Sequence, residues 1–109
     1  MTDIAGLELS VLLAVARLGD DAYGLAVRRD VAERLEHDYS VGAIYTTLER
    51  LQAKGLITSR QAPPTPTRGG RSRRHFRLTA KGERAMRAAR ERAASQWAGI
   101  FQPARLEPS

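Results

Sequence analysis

The stretch "LITSRQAPPTPTRGGRSRRHFRL" (56–78) restricts the fold more than any other part of the chain. Its two ends are short runs that suit strands: "LITSRQ" is rich in β-branched and polar residues. "RRHFRL" alternates, with Phe76 and Leu78 on one side and His75 and Arg77 on the other. Three prolines with Gly69-Gly70 separate them, which forbids regular structure and favours a turn. The two runs are therefore expected to pair as a hairpin with a long tip. An Arg-Gly segment for RNA would instead repeat its units and lack periodic flanks; here the unit occurs once, between two strand-like runs.

Upstream the period is helical. "GLELSVLLAVARLG" (6–19) repeats Leu7, Val11, Ala14/Val15 and Leu18 and stops at Gly19. Asp20 or Asp21 is available to cap a second helix over 23–36, whose inner stripe is Val27, Val31 and Leu35. Ser40 is the expected N-cap of a third helix, with Tyr39 and Ile44 placed as a hydrophobic staple. Ile44, Leu48 and Leu51 form its inner face, and Gly55 is the stop. Three short helices followed by strand, loop and strand is the order of a winged helix-turn-helix.

The last segment runs from Thr79, its expected N-cap, and places Met86, Ala89, Ala93, Trp97 and Ile100 down one side until Pro103 ends it. This stripe is thin and rich in alanine, so packing against the same helix of a second chain is expected to cover it. The predicted class is mainly α with a small two-stranded β-hairpin. Residues 1–78 form the winged domain, 79–102 a dimerisation helix and 103–109 a flexible tail.

Charge is divided unevenly. Residues 1–49 carry four arginines against nine acids, net −5; residues 50–109 carry fourteen Lys/Arg against three acids, net +11. That asymmetry is the footprint of a polyanion-binding face. The chain has no cysteine, which excludes disulfides and thiolate metal sites. The start "MTDIAGLEL" lacks the basic region of a signal peptide, and the longest apolar run, "VLLAVA" (11–16), falls far short of the ~20 residues of a membrane span. A cytoplasmic protein of 109 residues with one modest core, and no membrane partner, is expected.

Three blocks carry a resemblance. "YSVGAIYTTLERLQAKGLI" (39–57) resembles the recognition-helix signature of PadR-type transcriptional regulators. "GGRSRRHFRLTAKGERAM" (69–86) resembles their wing and the start of the dimerisation helix, and "AYGLAVRRDV" (22–31) the start of their second helix. The match spans about residues 6–90 with all spacings intact. The family often has Pro, Thr and Pro where this chain has Val41, Ala43 and Thr46, so operator preference is not carried over. A single C-terminal helix resembles the short branch. The resemblance implies a repressor that is released by a small aromatic effector at the subunit interface. Trp97 would then either stack on that effector or anchor the dimer.

In a helix-turn-helix the third helix enters the major groove. With Ile44, Leu48 and Leu51 inward, Gly42, Ala43, Thr46, Thr47 and Arg50 are expected outward. Gly42 and Ala43 let the backbone approach the bases. Ser40 and the first-turn N–H groups suit a phosphate, and Thr46 and Thr47 a base acceptor or a thymine methyl. Tyr45 either packs or reaches a phosphate. Arg50 and Lys54 would face the sugar-phosphate backbone, and the wing adds Arg71, Arg73 and Arg74, with Arg68 on the tip. His75 is expected as a strand residue. Two such domains would read half-sites of a pseudo-palindrome ~34–36 Å apart.

No cofactor or metal is expected. An enzyme would need convergent titratable groups, yet only His37 and His75 exist, and Glu33, Glu36 and His37 diverge at a helix end. The remaining alternatives are a module that binds RNA or single-stranded DNA without sequence preference, and a protein-interaction module on the same fold.

Overall fold

The computed structural model describes residues 4–61, 73–101 and 106–109. The tip of the hairpin, with Arg68 and Arg71, and Pro103 lie outside the described residues. Helix α1 spans Gly6–Leu18 and buries Val11, Leu12, Ala14 and Val15; a single 3₁₀ turn, Gly19–Asp21, follows it.

Helix α2, Gly24–Leu35, departs from expectation at both ends. Asp20 and Asp21 belong to the 3₁₀ turn and cap nothing in α2, whose N-cap, Tyr23, makes no side-chain bond. The reason lies in the sheet. Tyr23 forms an isolated bridge with His75 of the hairpin, and the Phe76 N–H donates to the Ala22 carbonyl at 2.9 Å. At the other end Leu35, expected inside, is 44% exposed, because Glu36 turns left-handed at φ 53 and ends α2 beyond the core.

Helix α3, Val41–Ala53, follows the sequence closely. Ser40 Oγ accepts from the Ala43 N–H at 3.1 Å. The far end closes with paired bonds, Gly55 N–H to the Gln52 carbonyl and Leu56 N–H to the Leu51 carbonyl, the Schellman pattern. Strands β1 (Ile57–Gln61) and β2 (Arg74–Leu78) are antiparallel, in register from Ile57 opposite Leu78 to Gln61 opposite Arg74.

Thr79 then joins three elements. Its hydroxyl donates to the Gly55 carbonyl at 2.7 Å and accepts from the Gly82 N–H at 3.0 Å, while its own N–H donates to the Leu56 carbonyl. Helix α4, Ala80–Trp97, starts so close to this junction that a Cβ on Gly82 would lie 2.2 Å from the Leu56 carbonyl oxygen. The core gathers Leu12, Val27, Val31, Ile44, Leu48, Leu51, Leu56, Ile57 and Phe76. Each such side chain, when fully buried, contributes about 1.5–3 kcal/mol. From α4 Ala85 and Ala89 join it, and Met86 packs against it.

The helix also ends earlier than its stripe suggested. The last helical residue is Trp97, and Gly99 turns the chain at φ +74, so Ile100 lies outside α4 rather than one turn further along it.

Candidate nucleic-acid interface

The exposed flank of α3 consists of Val41, Gly42, Thr46, Glu49 and Arg50, with Ala43 and Tyr45 half-buried. A Cβ built on Gly42 would meet only Ser40 Oγ, at 4.0 Å, so nothing within the chain requires glycine there. The backbone is open to approach from outside at the first turn of the helix.

Thr47 is not on this flank. It is 4% exposed, and its hydroxyl donates to the Ala43 carbonyl at 2.8 Å. Three residues after Ile44 and four before Leu51, it falls on their stripe, and this back-bond to position i−4 lets a threonine sit there satisfied.

Tyr45 turns toward the start of α2. A Cβ on Gly24 would lie 2.1 Å from the Tyr45 hydroxyl, so the glycine is the seat on which this side chain rests. The turn between α2 and α3 is held by Arg28, a residue the sequence reading passed over. Its Nε donates to the Tyr39 carbonyl at 2.7 Å, and it pairs with Asp38 at 3.2 Å. Periodicity marked Arg28 only as outside. His37, weighed above as part of an acidic cluster, packs edge-on against the Tyr39 ring at 4.4 Å.

The basic residues differ in how far they are already engaged. Among the described residues nothing pairs with the Arg50 or Arg60 side chains, and both are exposed. Arg60, also missed, stands opposite His75 on the outer face of the hairpin. Arg73 lies just before β2, on the tip side of the hairpin, with its guanidinium 4.9 Å from the Tyr23 ring centre, and that ring meets His75 edge-on at 4.2 Å. Lys54, expected to face phosphates, forms an ion pair with Glu8 of α1. Arg74 pairs with Glu49 at 3.0 Å and donates to Gln52 at 3.0 Å, both on α3. Alternation along β2 puts Arg74 with Phe76 and Leu78 on the inner face, so the period itself carried that signal.

The expected dimer stripe divides as well. Ala89 is 7% exposed and packs within its own chain, where it floors a groove that Leu9 and Leu13 of α1 share with Met86 and Ala93 of α4. Trp97 is 59% exposed and stacks on Phe101, ring centres 5.7 Å apart and planes 22° apart. Among the described residues no helix is long and apolar enough to cross a membrane.

Three helices, a hairpin in register and an exposed third-helix flank define a winged-helix protein. The chain belongs to the PadR-like family of transcriptional regulators, whose profile matches residues 12–88. Among solved structures it is similar to a PadR family regulator from Clostridium difficile, at 26% identity over 84% of this chain and 98% of that one, TM-score 0.61. A PadR family regulator from Eggerthella lenta is 24% identical over 86% and 83%, TM-score 0.66. RosR of H. salinarum is 23% identical over 89% and 80%, TM-score 0.68. No curated protein matches the chain.

Proposed function

We propose that the protein is a dimeric, sequence-specific DNA-binding repressor that a small aromatic effector releases. In this reading α3 is the recognition helix and the hairpin is the wing. The observation that carries it is the open first turn of α3. Gly42 presents bare backbone, Ser40 caps the helix, and Thr46 and Arg50 continue the same exposed flank. Gly42, Ala43 and Thr46 would meet base edges, and Arg50, Arg73 and Arg71 the sugar-phosphate backbone.

In this proposal residues 1–78 bind DNA, 79–102 hold two copies together and 103–109 form a tail. The groove between α1 and α4, with Met86, Ala93 and the exposed Trp97 and Ile100, supports a second copy as its occupant. The exposed Trp97–Phe101 stack supports Trp97 as a contact for a flat effector.

Selection of bound sequences from a random duplex pool tests the reading. A recovered dyad with half-sites about one turn apart, ~34–36 Å, is the expected result. A dimer that neutralises roughly 6–10 phosphates should also lose ~10³–10⁵ in affinity between 50 and 200 mM salt. Equal binding to random duplex, single strand and RNA would remove the sequence-specific regulator as an explanation.

A further inference from the structure

Arg74 differs from the other arginines near the wing in being surrounded by partners on the recognition helix. One guanidinium nitrogen meets Glu49 Oε1 at 3.0 Å and another meets Gln52 Oε1 at 3.0 Å. The same Gln52 oxygen accepts from Ser59 Oγ of β1 at 3.0 Å. The guanidinium carbon also lies 5.4 Å from the centre of the Phe76 ring, which is itself buried. Both strands of the hairpin are thus tied to one face of α3, through side chains that alternation turns inward.

The electrostatics point the same way. A phosphate approaching Arg74 would compete with Glu49 for the same donors and be repelled by that carboxylate. The pair is close to neutral, so it adds little to the field that draws a polyanion. Its planar fork is well suited to fixing direction, because two donors held at once restrict rotation as one does not.

We propose that Arg74 is a positioning residue: it clamps the tip-side end of the hairpin strands to α3 through Glu49 and Gln52, and so sets the angle between wing and recognition helix without touching the nucleic acid. The role in recognition rests on the functional reading above; the clamp itself can be measured in the free protein.

The test uses the full chain with Arg74→Met, which keeps length and cover over Phe76 but removes every donor. In the free protein, amide exchange at the Gln61–Arg74 end of the hairpin should speed several-fold while exchange in α1 and α2 stays unchanged. Unaltered exchange at that end would overturn the clamp whatever happens with DNA. On the selected duplex, Arg74→Met should weaken binding about tenfold, the scale expected for coupled neighbours. The slope of log affinity against log salt should stay that of the unaltered chain. In a Glu49→Ala/Gln52→Ala background the same substitution should have almost no further effect. A slope reduced by about 0.9, the signature of one lost phosphate contact, would show that Arg74 touches DNA. So would a full loss persisting in the altered background. If the unaltered chain shows no preference for duplex, the regulator reading fails, and the exchange result still decides the clamp.

Discussion

The two ends of this molecule are finished to different degrees. Around α3 almost every polar group that faces inward has a partner in the same chain. Arg28 holds the preceding turn, Lys54 pairs with Glu8, Arg74 with Glu49 and Gln52, and Thr47 with its own helix. The second half of α4 is the opposite: Ala93 and Trp97 are exposed, and the chain beyond adds Ile100 and Phe101 to the same uncovered region. A unit closed by its own contacts can be presented rigidly to a ligand. At the far end of α4 the large apolar side chains stay exposed among the described residues.

The contrast can be broken first at the core. Leu48→Ala, at a fully buried position, should cost about 2–5 kcal/mol in denaturant unfolding followed by circular dichroism, and should loosen α3 with it. Trp97→Ala should act through association. If Trp97 anchors the dimer, sedimentation should show dimerisation weakened by about 30-fold, an anchor's ~2 kcal/mol, while the fold of α1 to β2 persists. A sedimentation profile identical to that of the unaltered chain would remove Trp97 from the interface.

Smaller effects sharpen the same division. Gly24→Ala should destabilise by about 1–3 kcal/mol, since the new methyl displaces the Tyr45 ring, and thermal melting will register it. Gly42→Ala should do the reverse: it meets open space, so the fold should gain up to about 1 kcal/mol, whereas affinity for the selected duplex should fall. A variant that is more stable and binds equally well would mean that no base edge comes close at Gly42. The smallest change separates neighbours. Thr46→Ala should alter base preference in a repeated selection, and Thr47→Val should leave that preference unchanged.

Local signals were the most legible part of the sequence. Ser40 and Thr79 cap as their residue types suggest, and Gly55 closes α3, because such features depend on a few neighbouring positions. The hairpin was legible from its change of period. Polar residues on an inner stripe are harder to place. Thr47 and Arg74 both lie on the inner stripe of their elements, and each is accommodated by a hydrogen bond that residue type alone does not announce. The bridge between Tyr23 and His75 and the pair between Lys54 and Glu8 join residues 52 and 46 positions apart, a distance at which no window of the sequence reports contact. The helix stops at Trp97, with Gly99 at φ +74 just beyond, because a glycine that turns left-handed ends a helix before any proline further on is reached.

Thr79 gives the molecule a lever. Its bonds to the end of α3 and to the first turn of α4 make a stiff fulcrum between them. The 18 residues of α4 extend about 27 Å from that point. A rotation of about ten degrees at the fulcrum would therefore sweep Trp97 through roughly 5 Å, by the rise per residue of a straight helix. Read in the other direction, a displacement of several ångströms at the far end arrives at α3 as a small change of angle.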